Sequence, residues 1–285
     1  MALTAAAHAA EISAWRQRRL ARLTAEDGWL SLTGLFWLSP GDNAVGSDPA
    51  CAVTLPAGRA PERLGTIRLD ARAAVFQPSL PAPPGLTAAG VPVAAGVTLV
   101  SDASDAPTVV AVGPVRFHVV ERGGRLAVRV RDAANPARRA LSRIETFPID
   151  RQWRVEALFE PYHPPRRFEV PGVLGTSETE ISPGAVVFTA GGQELRLDPI
   201  LERGETDYWI VFGDRSNGID TYAGGRFVYV APPERGRTVL DFNKAYNPPC
   251  VFTPFSTCPL PPPQNRLPIR VEAGEKTYRP TPGQG

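Results

Sequence analysis

The chain has 285 residues, 43% of them hydrophobic and 21% charged, with a formal net charge of +2. This suits a folded core, as one large β domain or two ordinary ones. It excludes a nucleic-acid binder built on a basic stripe, and no apolar run approaches the length of a helical membrane span. Lys244 and Lys276 are the only lysines, and the arginine-, alanine-, proline- and glycine-rich composition is bacterial-like, of the kind GC-rich coding produces. Three cysteines are too few for a disulfide scaffold. The N-terminus lacks the ordered regions of a signal peptide, so a cytoplasmic location is expected.

A helix is predicted from about His8 to Thr24, where Ile12, Trp15, Arg19, Leu20 and Leu23 recur near helical period. A dense apolar block, Trp29 to Leu38, follows and ends in the turn signal Ser39-Pro40-Gly41-Asp42. Short strands then alternate with turns: Ala44–Val45, Ala52–Leu55, Thr66–Leu69, Ala74–Phe76, Thr98–Val100 and Thr108–Val112. VRFHVVERGGRLAVRVRD reads as a hairpin about Gly123-Gly124. The order GDNAVGSD, VTLP, APERLG, LTAAGVPV and LVSDASDAPTVVAVGPVRFHVV resembles the layout of a forkhead-associated β-sandwich. That resemblance implies the sandwich. It does not bring the family's phosphothreonine site, because Ser47 follows Gly46, Arg63 is differently spaced and Ala89 precedes Gly90.

Beyond Trp153 further strands are predicted at Arg154–Phe159, Arg167–Val170, Ala185–Thr189, Glu194–Leu197, Tyr208–Phe212, Arg226–Val230 and Thr238–Phe242. If the last two pair, the Asp241 run should lie adjacent to the start of the Arg226 strand, and EPYHPPRRF, with His163, is expected to turn. The expected fold is all-β: an N-terminal helix (1–27), a forkhead-associated-like β-sandwich (28–135), and a second antiparallel sandwich or barrel (136–285) ending in a Pro-rich ordered loop. That loop is the run from Asp241 to Pro268. Its prolines rule out helix and central strand, while Tyr246, Phe252, Phe255, Cys250 and Cys258 mark it as packed, not disordered.

FPIDRQWRVEALFEPY, GDRSNGIDTYAGGRFVYV and DFNKAYNPPCVFTPFSTCPLPPPQNRLPIRVEAGEKTY together resemble the uncharacterised family called domain of unknown function 1684. GWLSLTGLFWL and GSD…LP extend the resemblance toward the N-terminus. It implies an all-β protein with no assigned activity.

The candidate ligand-binding residues are Tyr222, Arg226, Asp241, Asn243, Tyr246 and Asn247, with Phe252 as a wall. A rigid loop rich in polar groups beside a Gly-Gly-Arg strand start points to a small polar or anionic ligand, with Arg226 as a forked donor near Asp214, Ser216 and Thr221. The alternative is that these groups satisfy the loop itself, with Arg226 paired to Asp241. Cys250 and Cys258 allow a local disulfide, two zinc ligands or two buried thiols, and the last leads in a cytoplasmic protein. A second functional reading is an enzyme of hydrolase type, with His163, Asp241 and Cys250 as catalytic candidates. A third is a protein-interaction module in the forkhead-like half. There is no G-x-S-x-G, Walker loop, dinucleotide fingerprint or H-E-x-x-H, so no metal or cofactor is expected, and neither nucleic acid nor membrane is an expected partner.

Overall fold

The computed structural model describes residues 3–202 and 204–278. The tips of the first and third expected regions, 1–2 and 279–285, lie outside the described residues. The chain forms two units, residues 22–141 and residues 1–21 together with 142–285.

The continuous unit holds eleven strands: β1 (Leu32–Trp37), β2 (Gly41–Gly46), β3 (Val53–Thr54), β4 (Gly65–Asp70), β5 (Ala73–Pro78), β6 (Thr87–Ala88), β7 (Val91–Pro92), β8 (Val97–Thr98), β9 (Val110–Val112), β10 (Val115–Arg122) and β11 (Arg125–Asp132). They make a six-stranded sheet, β1-β11-β10-β9-β6-β7, and a five-stranded sheet, β3-β2-β4-β5-β8. Alternation decides which faces meet. Val45, Ile67 and Phe76 from one sheet join Val110, Phe117, Val119, Val128 and Val130 from the other in a single buried cluster. Phe76 and Phe117 meet edge to face at 5.7 Å. The hairpin β10–β11 turns at Gly123 and Gly124, with φ of 55° and 73°, values open to glycine at no steric cost.

The discontinuous unit takes all but the last turn of helix α1 (Ala5–Thr24) and, among the described residues, six strands: β12 (Arg154–Pro171), β13 (Ser177–Ala190), β14 (Gln193–Leu197), β15 (Tyr208–Phe212), β16 (Arg226–Val230) and β17 (Arg237–Asp241). The helix begins one turn before the predicted start, because the alanines before His8 are strong helix formers and the Thr4 hydroxyl accepts from the Ala7 N–H at 3.2 Å. Strands β14-β13-β12-β17 form one sheet and β15-β16 a second. Their core closes around Phe242, whose ring meets Trp153, Phe188 and Phe212 at 5.9, 5.6 and 5.3 Å.

Two expectations are corrected here. Arg226–Val230 does not pair with the strand before the Pro-rich run: β16 pairs with β15, and β17 pairs with β12, setting Arg154 opposite Asp241. Nor does the chain turn at His163. β12 continues through it as an 18-residue strand. Its prolines are tolerated because the register shifts between Pro161 and Arg166, where ladder bonds are interrupted, and because β17 covers β12 only as far as Leu158.

Candidate functional site

The Pro-rich run leaves β17 at Asp241 and proceeds by isolated single turns, Phe242–Lys244, Pro249–Val251 and Pro263–Asn265. Proline removes donors that such a path could not satisfy, and asparagine side chains replace the missing ladder. Asn265 donates to the Asp198 and Val211 carbonyls at 2.9 and 3.0 Å and accepts from the Asp198 N–H at 2.7 Å. Asn243, fully buried, donates to the Asp150 carbonyl at 2.8 Å and to Asp241 Oδ1 at 2.9 Å, and accepts from the Asp150 N–H at 3.0 Å. Asp241 Oδ1 also takes the Asn243 N–H, while its Oδ2 lies 2.7 Å from Nε2 of the fully buried His8.

Arg226 sits on β16 with none of its side chain exposed. Gly225 before it has φ of 87°, and a Cβ there would lie 2.3 Å from Pro261 and 2.6 Å from the Phe212 carbonyl, so glycine lets the Pro-rich run close over the strand start. The guanidinium donates to Asp214 Oδ2 at 2.8 Å, to the Val271 carbonyl at 2.8 Å and to the Ala273 carbonyl, and its plane lies over Phe212. Burial pulls its pKa down and Asp214 works against that. The buried partner of Arg226 is therefore Asp214, not Asp241.

Tyr246 exchanges both backbone bonds with Phe227, stacks at 9° on Tyr229, and carries the Arg19 guanidinium 4.6 Å from its ring centre. Burial raises its hydroxyl pKa. Asn247 donates from its side chain to the Lys276 carbonyl and from its backbone to Glu275 Oε2, each at 2.7 Å, while Arg19 donates to its carbonyl at 2.8 Å. Arg226, Asp241, Asn243 and Asn247 are thus all at least nine-tenths buried and engaged with protein groups. Phe252 packs on Tyr278 at 5.2 Å.

The three catalytic candidates are not brought together. No hydrogen bond or ion pair joins any two of His163, Asp241 and Cys250 among the described residues, and His163 is exposed on β12. Cys250 has other company. Its N–H donates to Cys258 Sγ at 3.2 Å, Ser256 Oγ lies 3.4 Å from the same sulfur, and all three cysteines are free thiols. Hydrogen bonds from Cys258 and from the Tyr222 hydroxyl lower the Cys250 pKa to about 7 against the opposing effect of burial. The same pairing, with burial, pushes Cys258 up.

Sequence reasoning missed His8, Arg19 and Glu275. The helical period of Ile12, Trp15 and Arg19, run back one turn, reaches His8, so that signal was present. Glu275 had none. It is buried, its pKa is raised by burial, and it is faced by Arg19 at 3.3 Å. It also borders a groove of about 180 Å³ whose other walls include Arg16, Gln17, Leu20, Arg143 and Thr146. Arg16 donates one Nη2 bond to the Phe147 carbonyl at 3.0 Å, while its buried Nε has no partner among the described residues. Arg143 is exposed.

Residues 139–276 match the model of a family described as "Protein of unknown function (DUF1684)". This is the family that the three long motifs pointed to. The match contains the first two and all but the last two residues of the third, and the N-terminal segments GWLSLTGLFWL and GSD…LP lie outside it. An uncharacterized protein of Haloarcula marismortui, solved by solution NMR, is 29% identical over 47% of this chain and 76% of its own, with a TM-score of 0.40. The FHA domain of FhaA, solved with the intracellular domain of another protein, is 22% identical over 34% of this chain and 86% of its own, with a TM-score of 0.24. A further FHA domain, from a study of phosphothreonine-dependent interactions, is 21% identical over 34% of this chain and 92% of its own, also at 0.24. No curated protein matches the chain. No helix among the described residues is long and apolar enough to cross a membrane.

Proposed function

We propose that the protein binds a small anionic ligand in its C-terminal unit, in the groove between Arg16 and Arg143. The observation that carries this reading is that Arg16, whose buried Nε has no hydrogen-bond partner among the described residues, lines the same groove as a second arginine. An unmade hydrogen bond on a buried donor costs about 1–3 kcal/mol, and an anionic oxygen would recover it through a charge-assisted bond. Burial pulls the Arg16 pKa down, and an anion at Nε would work against that by favouring the charged form. The forked, permanently charged guanidinium suits carboxylate, sulfate or phosphate oxygens. A volume of about 180 Å³ fits an anion of that size better than a nucleotide. Glu275 disfavours negative charge at its end of the groove, so the anion belongs toward Arg143, with Arg19 balancing the carboxylate.

Titrating inorganic phosphate, sulfate and succinate separately while following thermal unfolding tests this. A ligand at a hundred times its Kd stabilises by about 2.7 kcal/mol. Arg143→Ala removes an exposed side chain, so it should leave the unliganded Tm in place and weaken binding about tenfold or more. Sulfate and phosphate also stabilise proteins generally by exclusion from the surface. A rise equal in the wild type and in Arg143→Ala, or no rise with any of the three anions, would overturn the reading.

A further inference from the structure

The anion groove makes no use of Cys250 and Cys258, which the Pro-rich run holds together although they are eight positions apart. Pro248 and Pro249 lead into the turn that carries Cys250, and Pro259 follows Cys258, so the backbone at both thiols has little freedom. Cys258 is 3% exposed, and its carbonyl accepts from the Val173 N–H at 3.0 Å. Cys250 is only half-buried. One thiol is partly open to solvent and the other is buried.

We propose that Cys250 and Cys258 form a dithiol redox site that reduces hydroperoxides, with Cys250 attacking the peroxide and Cys258 closing a disulfide.

In the first step the Cys250 thiolate displaces at the terminal peroxide oxygen. An S–O bond forms, the O–O bond breaks, and sulfur supplies the two electrons that reduce the peroxide. The departing alkoxide or hydroxide takes a proton from solvent and leaves as alcohol or water. In the second step the Cys258 sulfur attacks the sulfur of the Cys250 sulfenic acid. An S–S bond forms, the S–O bond breaks, and the leaving hydroxide combines with the Cys258 proton as water. An external dithiol returns the pair to the reduced state by exchange, becoming a disulfide itself.

Three features support these roles. The Tyr222 hydroxyl helps lower the Cys250 pKa while burial raises that of Tyr222, which favours a thiolate at Cys250 beside a protonated phenol. Cys250 is shifted toward the thiolate and Cys258 toward the thiol, matching attacking and resolving partners. Cys51 supplies an internal comparison: it is buried, its pKa is raised by burial, and it lies near neither of the others in the chain.

The test treats the reduced full-length protein with equimolar hydrogen peroxide at neutral pH and maps its peptides by mass spectrometry. The expected product is a Cys250–Cys258 disulfide, two hydrogens lighter, formed about tenfold or more faster than Cys51 is oxidised. With Cys258→Ser, dimedone should capture a sulfenic acid on Cys250, and Tyr222→Phe should slow that capture. If Cys258→Ser does not fold, the wild-type map decides alone. Oxidation of Cys250 no faster than Cys51, or oxidation without the cross-link, would mark the pair as two packed thiols and overturn the proposal.

Discussion

His8 Nε2 lies 2.7 Å from Asp241 Oδ2, across 233 positions of sequence, with neither side chain appreciably exposed. The contact ties the first turns of α1 to the point where β17 becomes the Pro-rich run. Removing it leaves a buried carboxylate oxygen with only Arg154, 3.9 Å away, nearby. His8→Ala should therefore lower stability by about 2–4 kcal/mol. Urea unfolding measures this, and a loss below about 0.5 kcal/mol would show the pair to be incidental.

Arg226 and Asp214 should behave as a structural pair. A ligand-binding arginine could be replaced at little cost to stability, but one with no exposure and an ion pair inside the core cannot. Arg226→Met and Asp214→Asn should each cost about 3–5 kcal/mol, because each leaves a buried group uncompensated. The double replacement should cost less than the sum, since the partners share one interaction. Additive losses in a double-mutant cycle would contradict the pairing.

Alkylation of Cys250 should depend on pH in a way Cys51 does not. The thiolate is the reactive form, so the rate rises as pH climbs through the thiol pKa. For Cys250 that rise is centred at about 7. Cys51, raised above its ordinary value of 9.0, should still react slowly there. Iodoacetamide labelling from mildly acidic to mildly basic pH, read peptide by peptide, separates them. Superimposed profiles would remove the claim of a tuned thiol.

His118 gives the sandwich unit a pH dependence of definite sign. Burial, with Arg129 and Arg131 close by, lowers its pKa from 6.5 to about 4. Between those values the unfolded chain binds the proton and the folded one does not, so stability rises with pH across that window and falls on acidification. Above 6.5 the contribution is complete. His118→Gln should flatten the curve of Tm against pH within the window, and an unchanged slope would assign the dependence to carboxylates.

Local chemistry was legible wherever a feature was decided within a few residues. Gly123-Gly124 marks a real hairpin, because only glycine takes those positive φ values without strain. The alternation in VRFHVV places Phe117 and Val119 in the core. The Pro-rich run is ordered, as its aromatics implied. Pairing between distant strands was less legible: the residues of β16 and β17 read as neighbours, and nothing local shows that β12 lies against β17 instead. EPYHPPRRF misled because proline usually stops a strand, and only the register shift, itself a property of two strands together, makes room for it. The polar residues chosen for the site were chosen for their type. Type does not reveal that Asn243 already faces Asp150 or that Asp214 already holds Arg226.

The discontinuous make-up of the C-terminal unit has a consequence for synthesis. Residues 22–141 form a continuous segment that can collapse as soon as it has emerged from the ribosome. The other unit needs α1 and Glu275, 256 positions beyond Arg19, to meet through that arginine. Until then α1 has its buried histidine and its arginine without their partners. The helix therefore has to wait until the chain has been made as far as Glu275, by which time residues 22–141 can already have collapsed.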